Sequence, residues 1–166
     1  MDRNLRSYNV AVASIFAALA MIFSYVEAIL PFSVGIPGVK LGIANIVIVM
    51  ALYKLNVKYA LLINLIRIFI AGFLFSGVFG ILYSLAGGLL SLVVMVLVKK
   101  AKVFSVVGVS LAGGVAHNLG QLITAALIVS NIKLFLYFPV LVFSGLFSGI
   151  IIGIVAGLAL EKIEKI

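Results

Sequence analysis

The chain has 166 residues, 66% of them hydrophobic and 10% charged, with a net charge of +8, a mean hydropathy of +1.42 and no cysteine. A soluble domain is about half apolar and about a quarter charged, and a chain this short cannot hide so much apolar surface in a core of its own. The composition therefore excludes a water-soluble globular domain, and the missing cysteines exclude disulfides and thiolate metal sites.

In chain order, apolar runs predict six spanning helices, at 8–30, 41–53, 58–75, 76–98, 104–129 and 134–160. A spanning helix needs about 20 apolar residues, and 41–53 is short by that measure. The first run follows Met-Asp-Arg-Asn-Leu-Arg and resembles a signal peptide at its start. It then continues to Pro31, interrupted only by Glu27, well beyond the roughly 7–15 residues of a signal core. A Gly- and Pro-bearing loop follows it. The boundary between the third and fourth helices carries no charge, only Phe75-Ser76-Gly77. A five-span chain with one long kinked segment is the rival.

Loop charges test the count. With six spans, Arg3, Arg6, Lys54, Lys58, Lys99, Lys100, Lys102, Lys162 and Lys165 all fall on one side, and only Lys40 and Lys133 on the other. Five spans would scatter these clusters. Under the positive-inside rule both termini are cytoplasmic. Clustered between apolar runs, the basic residues read as topology signal rather than as a nucleic-acid footprint. The expected architecture is an all-α, polytopic, single-domain membrane protein.

Small residues recur every fourth position: Gly145, Gly149, Gly153 and Gly157; Gly108, Ala112, Ala116 and Gly120; Ser76, Gly80, Ser84 and Gly88; and Ala13 and Ala17. Such faces let helices approach closely in a membrane. Packing within the chain accounts for the later three helices, and helix 1 is the best candidate for docking a separate membrane subunit.

Chemistry-bearing residues are few. The acids are Asp2, Glu27, Glu161 and Glu164, and only Glu27 lies in the spanning region. Magnesium-dependent diphosphate chemistry needs clustered carboxylates, because the cation takes hard oxygen ligands. The chain has no such cluster, no carboxylate pair for acid–base work, and no Gly-rich loop ending in Lys-Ser/Thr. It is expected to be neither an enzyme nor its own ATPase, with no cofactor. One histidine without acidic or thiolate neighbours makes a poor metal site.

Arg67 follows Lys58 by nine residues, roughly 13 Å at helical rise, which places it near the midplane. There it either locks the structure, paired with Glu27 or helix-end carbonyls, or meets a ligand anion. Asn64 precedes it by one turn. Asn45 enters the second helix, and His117, Asn118 and Gln121 stand on the fifth. All fall between the midplane and the outer side, with Glu27 and Lys40 nearer the mouth. Hydrogen bonding between helices alone is the alternative for Asn and Gln, but the common depth favours a polar-floored cavity open to the outside.

Three stretches, GVKLGIANIVIVMAL from Gly38, NLIRIFIAGFLFSG from Asn64 and GGVAHNLGQLITAAL from Gly113, together resemble the Gx transporter family, also labelled heptaprenyl diphosphate synthase component I. The resemblance covers about residues 8–160. That family is similar to the substrate-capture subunits of energy-coupling-factor transporters. The resemblance implies six helices, capture of a vitamin-like or quinone/isoprenoid-precursor-like solute from outside, and location in the bacterial plasma membrane. It also implies docking through helix 1, at an Ala-x-x-x-Ala motif matched by Ala13 and Ala17, on a transmembrane coupling subunit that carries two ATPases. The synthase label conflicts with the missing acidic cluster, and a start of Met-Asp rather than Met-His weighs against nickel and cobalt. The leading expectation is the substrate-binding subunit of an uptake transporter, with the helix 1–2 loop as lid. The alternatives are an auxiliary membrane subunit of heptaprenyl diphosphate synthesis and a self-contained carrier or channel.

Overall fold

A computed structural model describes residues 3–29 and 42–164. Lys40 and most of the helix 1–2 loop, the expected lid, lie outside the described residues. The described residues are almost all helical: α1 (Arg3–Ile29), α2 (Asn45–Lys54), α3 (Val57–Ala71), a π-helical turn (Gly72–Ser76), α4 (Gly77–Lys100), α5 (Val106–Val129), a 3-10 turn (Ile132–Tyr137) and α6 (Phe138–Glu164). Four stretches among them are long and apolar enough to cross a membrane: Ser7–Ile29, Val57–Lys100, Val106–Val129 and Ile132–Ile163.

α1 buries one face. Ala13, Phe16, Ala20 and Ser24 point inward at three- and four-residue spacing, whereas Ile15, Ile22, Tyr25 and Ile29 are exposed. α2 is different. Residues Val47 to Leu52 are all buried, so it has no solvent or lipid face along that stretch. Its ten residues rise only about 15 Å, half of a hydrocarbon core of about 30 Å. It starts at Asn45, after a turn closed by Asn45 N–H to Gly42 O (2.8 Å) and Ile46 N–H to Ile43 O (3.1 Å). Gly42 adopts φ +75°, a left-handed conformation that disfavours a side chain. At the far end of α2, Lys99 Nζ donates to Leu52 O at 2.6 Å and sits 4.3 Å from the centroid of the Tyr53 ring. A cation there satisfies a terminal carbonyl and opposes the helix dipole.

α3 begins at Asn56, whose Oδ1 accepts from Tyr59 N–H at 3.1 Å, a conventional N-cap. The 44-residue stretch Val57–Lys100 is not one long helix. The chain widens into the π turn and reverses at Gly77, with φ +66° and ψ −176°. Gly72 then packs on Ile81, and Gly88 on Asn64 and Ile68, so α3 and α4 run antiparallel. The uncharged Phe75-Ser76-Gly77 boundary is a true turn.

α5 is N-capped by Ser105 Oγ, which accepts from Gly108 N–H at 3.3 Å. It ends at Ser130 in the left-handed region (φ 53°). Pro139 falls in the first turn of α6, where no intrahelical donor is lost. The helices neighbour one another in the order α1, α2, α6, α5, α4, α3, with α3 returning to both α1 and α2.

Close backbone approach holds α4, α5 and α6 together. A Cβ on Gly114 would meet Gly145 O at 2.4 Å, and one on Gly149 would meet Leu111 Cα at 2.6 Å. On Gly120 it would meet Ala86 O at 2.6 Å. The predicted α6 stripe is thus used at Gly145, Gly149 and Gly153, but Gly157 faces open space. On α5 the stripe is corrected. The contact glycines are Gly113 and Gly114, one facing each neighbour, together with Gly120, whereas a Cβ on Gly108 would meet only Phe104 of its own segment.

These pairings gather Lys54, Lys58, Lys99 and Lys100 at one end of the bundle. Two glycine variants separate the causes of packing and turning. Gly114→Leu is expected to separate α5 from α6 and to lower the detergent unfolding temperature sharply. Gly77→Ala has no atom to strike within 4 Å and should cost only backbone strain, about 1–3 kcal/mol. Thermal unfolding followed by circular dichroism checks both, and a neutral Gly114→Leu would contradict the packing.

Candidate functional site

Arg67 stands on α3, 7% exposed, and reaches two other polar groups. Its Nη2 donates to Asn45 Oδ1 at 2.9 Å, and its Nε donates to Asn64 Oδ1 at 3.1 Å. Asn64 is its own one-turn neighbour, only 1% exposed, and Asn45 is the first residue of α2. The planar guanidinium fork lets one side chain serve both, which a lysine ammonium on a single nitrogen does less well. Glu27 of α1 attracts the Arg67 cation electrostatically. The Glu27 carboxylate also accepts the Gly42 N–H, at the turn that opens α2. Glu27 therefore sits between two structural loads, the cation of α3 and the entry of α2.

Ser24, Glu27, Arg67, Gly72, Ser76 and Ser84 line a cavity of about 20 Å³, room for roughly one water. The π turn forms part of its wall, and such turns often mark functional positions. The sequence reading missed Ser24 altogether and took Ser76 and Ser84 for small packing residues. The available signal was Ser24 on the buried three–four face of α1, one turn before Glu27.

The fifth-helix residues divide. Asn118 Nδ2 donates to Leu141 O of α6 at 2.8 Å, so it ties α5 to α6. His117 and Gln121 are buried and face α4 instead. A Cβ on Gly87 would meet His117 Cε1 at 3.1 Å and Gln121 Cγ at 3.0 Å. A Cβ on the next residue, Gly88, would meet Asn64 Nδ2 at 3.0 Å. The adjacent glycines thin α4 at the level where the α3 and α5 polar groups approach it from two sides. The structure thus joins Arg67, Asn45, Asn64 and Glu27 directly, and sets His117 and Gln121 one helix away across Gly87-Gly88.

Ala13, expected at a docking face, is 8% exposed and lies in the core with Phe16 and Ala20. Ala17 is partly buried against the same core. The small residues that α1 exposes are Ser7, Ala11, Ser14 and Ala18, with Ala28 near its end. Helical phase decides this: 13, 16, 20 and 24 make the inward stripe, and 7, 11, 14 and 18 the outward one.

Long apolar helices around a buried cationic polar cluster define a membrane-type helical bundle with an internal polar site. Within that class the chain belongs to the heptaprenyl diphosphate synthase component I family, whose family model matches residues 16–159. No curated protein and no solved structure matches it.

Arg67→Lys is expected to keep the charge but lose one of two bonds made by an ionised donor, costing about 1.5–3 kcal/mol. Gly88→Ala should push on Asn64 and disturb the same network from the other side. Unfolding of both variants in mild detergent checks this, and a fully stable Arg67→Lys would contradict the two-acceptor geometry.

Proposed function

We propose that the chain is a noncatalytic, solute-binding membrane subunit of an energy-coupling-factor-type uptake transporter. The observation that carries this reading is the buried guanidinium of Arg67, placed among side chains of α1, α2 and α3 and beside a serine-lined cavity. Ionisable groups are expensive at membrane depth and are retained there for function. The fixed positive charge suits a carboxylate, phosphate or polarised carbonyl on the solute, and the apolar surroundings suit an aliphatic or aromatic remainder. In this reading His117 and Gln121, across Gly87-Gly88, complete the site once α4 shifts. Asn118 is assigned to the α5–α6 tie.

Six crossings with both termini cytoplasmic are part of this reading. α1 and α3 run parallel, with Glu27 level with Arg67, and α2 runs antiparallel against both, from Asn45 near Arg67 to Lys54. The lysine-rich end then faces the cytoplasm under the positive-inside rule. A cysteine placed at Lys100 should react with a membrane-impermeant reagent only after the cells are opened. Labelling of intact cells would reverse the orientation.

With only four acids in the sequence and no nucleotide-binding loop, transport energy comes from partners. These are a transmembrane coupling subunit and two ATPase subunits in the cell membrane. The α1 face bearing Ala11, Ser14 and Ala18 is the surface offered to the coupling subunit, since Ala13 is committed to the core. The family description favours a second reading, an auxiliary membrane subunit of heptaprenyl diphosphate synthesis.

One purification separates the two readings. Tagged protein taken from its own cells in mild detergent should carry a small molecule at near one per chain and bring down a coupling subunit with its ATPases. Ala11→Leu with Ala18→Leu should lose the partners and keep the small molecule. Recovery of a soluble prenyl diphosphate synthase subunit in their place, without small molecule, would favour the second reading and overturn the first.

A further inference from the structure

At the lysine-rich end, the α2–α3 turn and the last turns of α4 enclose an open groove of about 290 Å³, lined in part by Leu55, Asn56, Val57, Lys99 and Lys100. A second groove of about 220 Å³ continues along the outside of the α3–α4 hairpin and shares Val57 and Val96 with the first. Its lining is entirely apolar, Leu61, Leu89 and Val93 among it. From Leu97 to Leu89 the helical rise is about 12 Å, so the pair forms a slot with a cationic mouth and an apolar body lying along the helices. Neither groove shares a lining residue with the Arg67 cavity.

We propose that this slot holds one anionic phospholipid, its phosphate head between Lys99 and Lys100 and one acyl chain in the groove between α3 and α4. Lys99 already donates to Leu52 O and stacks over Tyr53. That arrangement fixes its ammonium at the mouth, and an ammonium has three donors. Lys100 is exposed beside it, Asn56 adds an amide, and Lys54 and Lys58 flank the turn. Basic pockets between membrane helices select anionic head groups in this way. The charge opposes a two-fold contact with a second copy of this chain, because the same lysines would face one another. The apolar body lies along the α3–α4 hairpin within the spanning region, which excludes a soluble anion as the occupant of the whole slot. The bound lipid would brace the α2–α3 turn against α4, at the end of the bundle opposite the polar site. The inference stands apart from the solute-binding reading.

Native mass spectrometry of the purified full chain tests it, with phosphatidylglycerol and phosphatidylcholine of identical acyl chains titrated in turn. One phosphatidylglycerol should be retained at markedly lower concentration than phosphatidylcholine, by about fivefold for each lysine at the mouth. Lys100→Gln, an exposed position, should cut that preference about fivefold with no change in the unfolding temperature of the lipid-free protein. Val93→Phe, which narrows the groove from its exposed wall, should weaken both lipids alike. Excess inorganic phosphate should not displace the lipid. Equal retention of the two lipids, an unchanged preference in Lys100→Gln, or displacement by phosphate alone would overturn the proposal. Preferential retention of a prenyl diphosphate over phosphatidylglycerol would overturn the phospholipid as occupant.

Discussion

The rest of the structure depends on one expensive placement, an arginine inside a nearly uncharged helical bundle. Carrying Arg at the centre of a spanning helix costs about 2.5–3.5 kcal/mol on insertion scales. The chain offsets that cost locally. Asn45 and Asn64 take two of the guanidinium donors, and Glu27 supplies the opposing charge. Because the acceptors come from different helices, satisfying Arg67 fixes α2 against α3. Because Glu27 also holds the Gly42 N–H, it fixes the entry of α2 against α1. A short helix of ten residues, buried along most of its length, is thereby held at both ends, by the Arg67 cluster at one and by Lys99 at the other.

The remaining helices are organised by a different force. In lipid there is no hydrophobic drive between helices, and contact comes from close packing of small residues. Gly114 against Gly145, and Gly120 against Ala86, bring α4, α5 and α6 to backbone contact. One half of the bundle is therefore held by polar bonds around Arg67, and the other by glycine contacts. Gly87 and Gly88 lie where the halves meet, with His117 and Gln121 on one side and Asn64 on the other. That seam is where the two sets of polar groups come closest, separated only by the backbone of α4.

Much of this was legible in the sequence. The apolar runs and the turn at Phe75-Ser76-Gly77 foretold the helices to within a few residues, because membrane depth forces long uninterrupted runs and glycine marks a reversal. Arg67, Asn64, Asn45 and Glu27 stood out because polar residues are scarce, and scarcity within the spanning region forces them together. Exposure of the α1 alanines was not legible. An Ala-x-x-x-Ala pair has no amphipathic contrast in so apolar a helix, and only the packing of Phe16 and Ala20 sets which face turns inward. The split of Asn118 from His117 and Gln121 was equally hidden. Residues one position apart on a helix differ by about 100° in direction, and both faces of α5 are covered by neighbouring helices. The serines around the cavity were overlooked because a serine in a glycine-rich stripe reads as a spacer.

Glu27 and Arg67 act energetically as one unit inside the bundle. A double-mutant cycle on unfolding in mild detergent, with Glu27→Gln, Arg67→Met and the pair, measures it most directly. Removing Arg67 alone leaves the partly buried Glu27 carboxylate without its counter-charge and the buried Asn45 and Asn64 acceptors without their donor, and is expected to cost about 1–3 kcal/mol. The double variant should be less destabilised than the sum of the singles, by on the order of 1 kcal/mol or more. Strict additivity of the two substitutions would contradict the account.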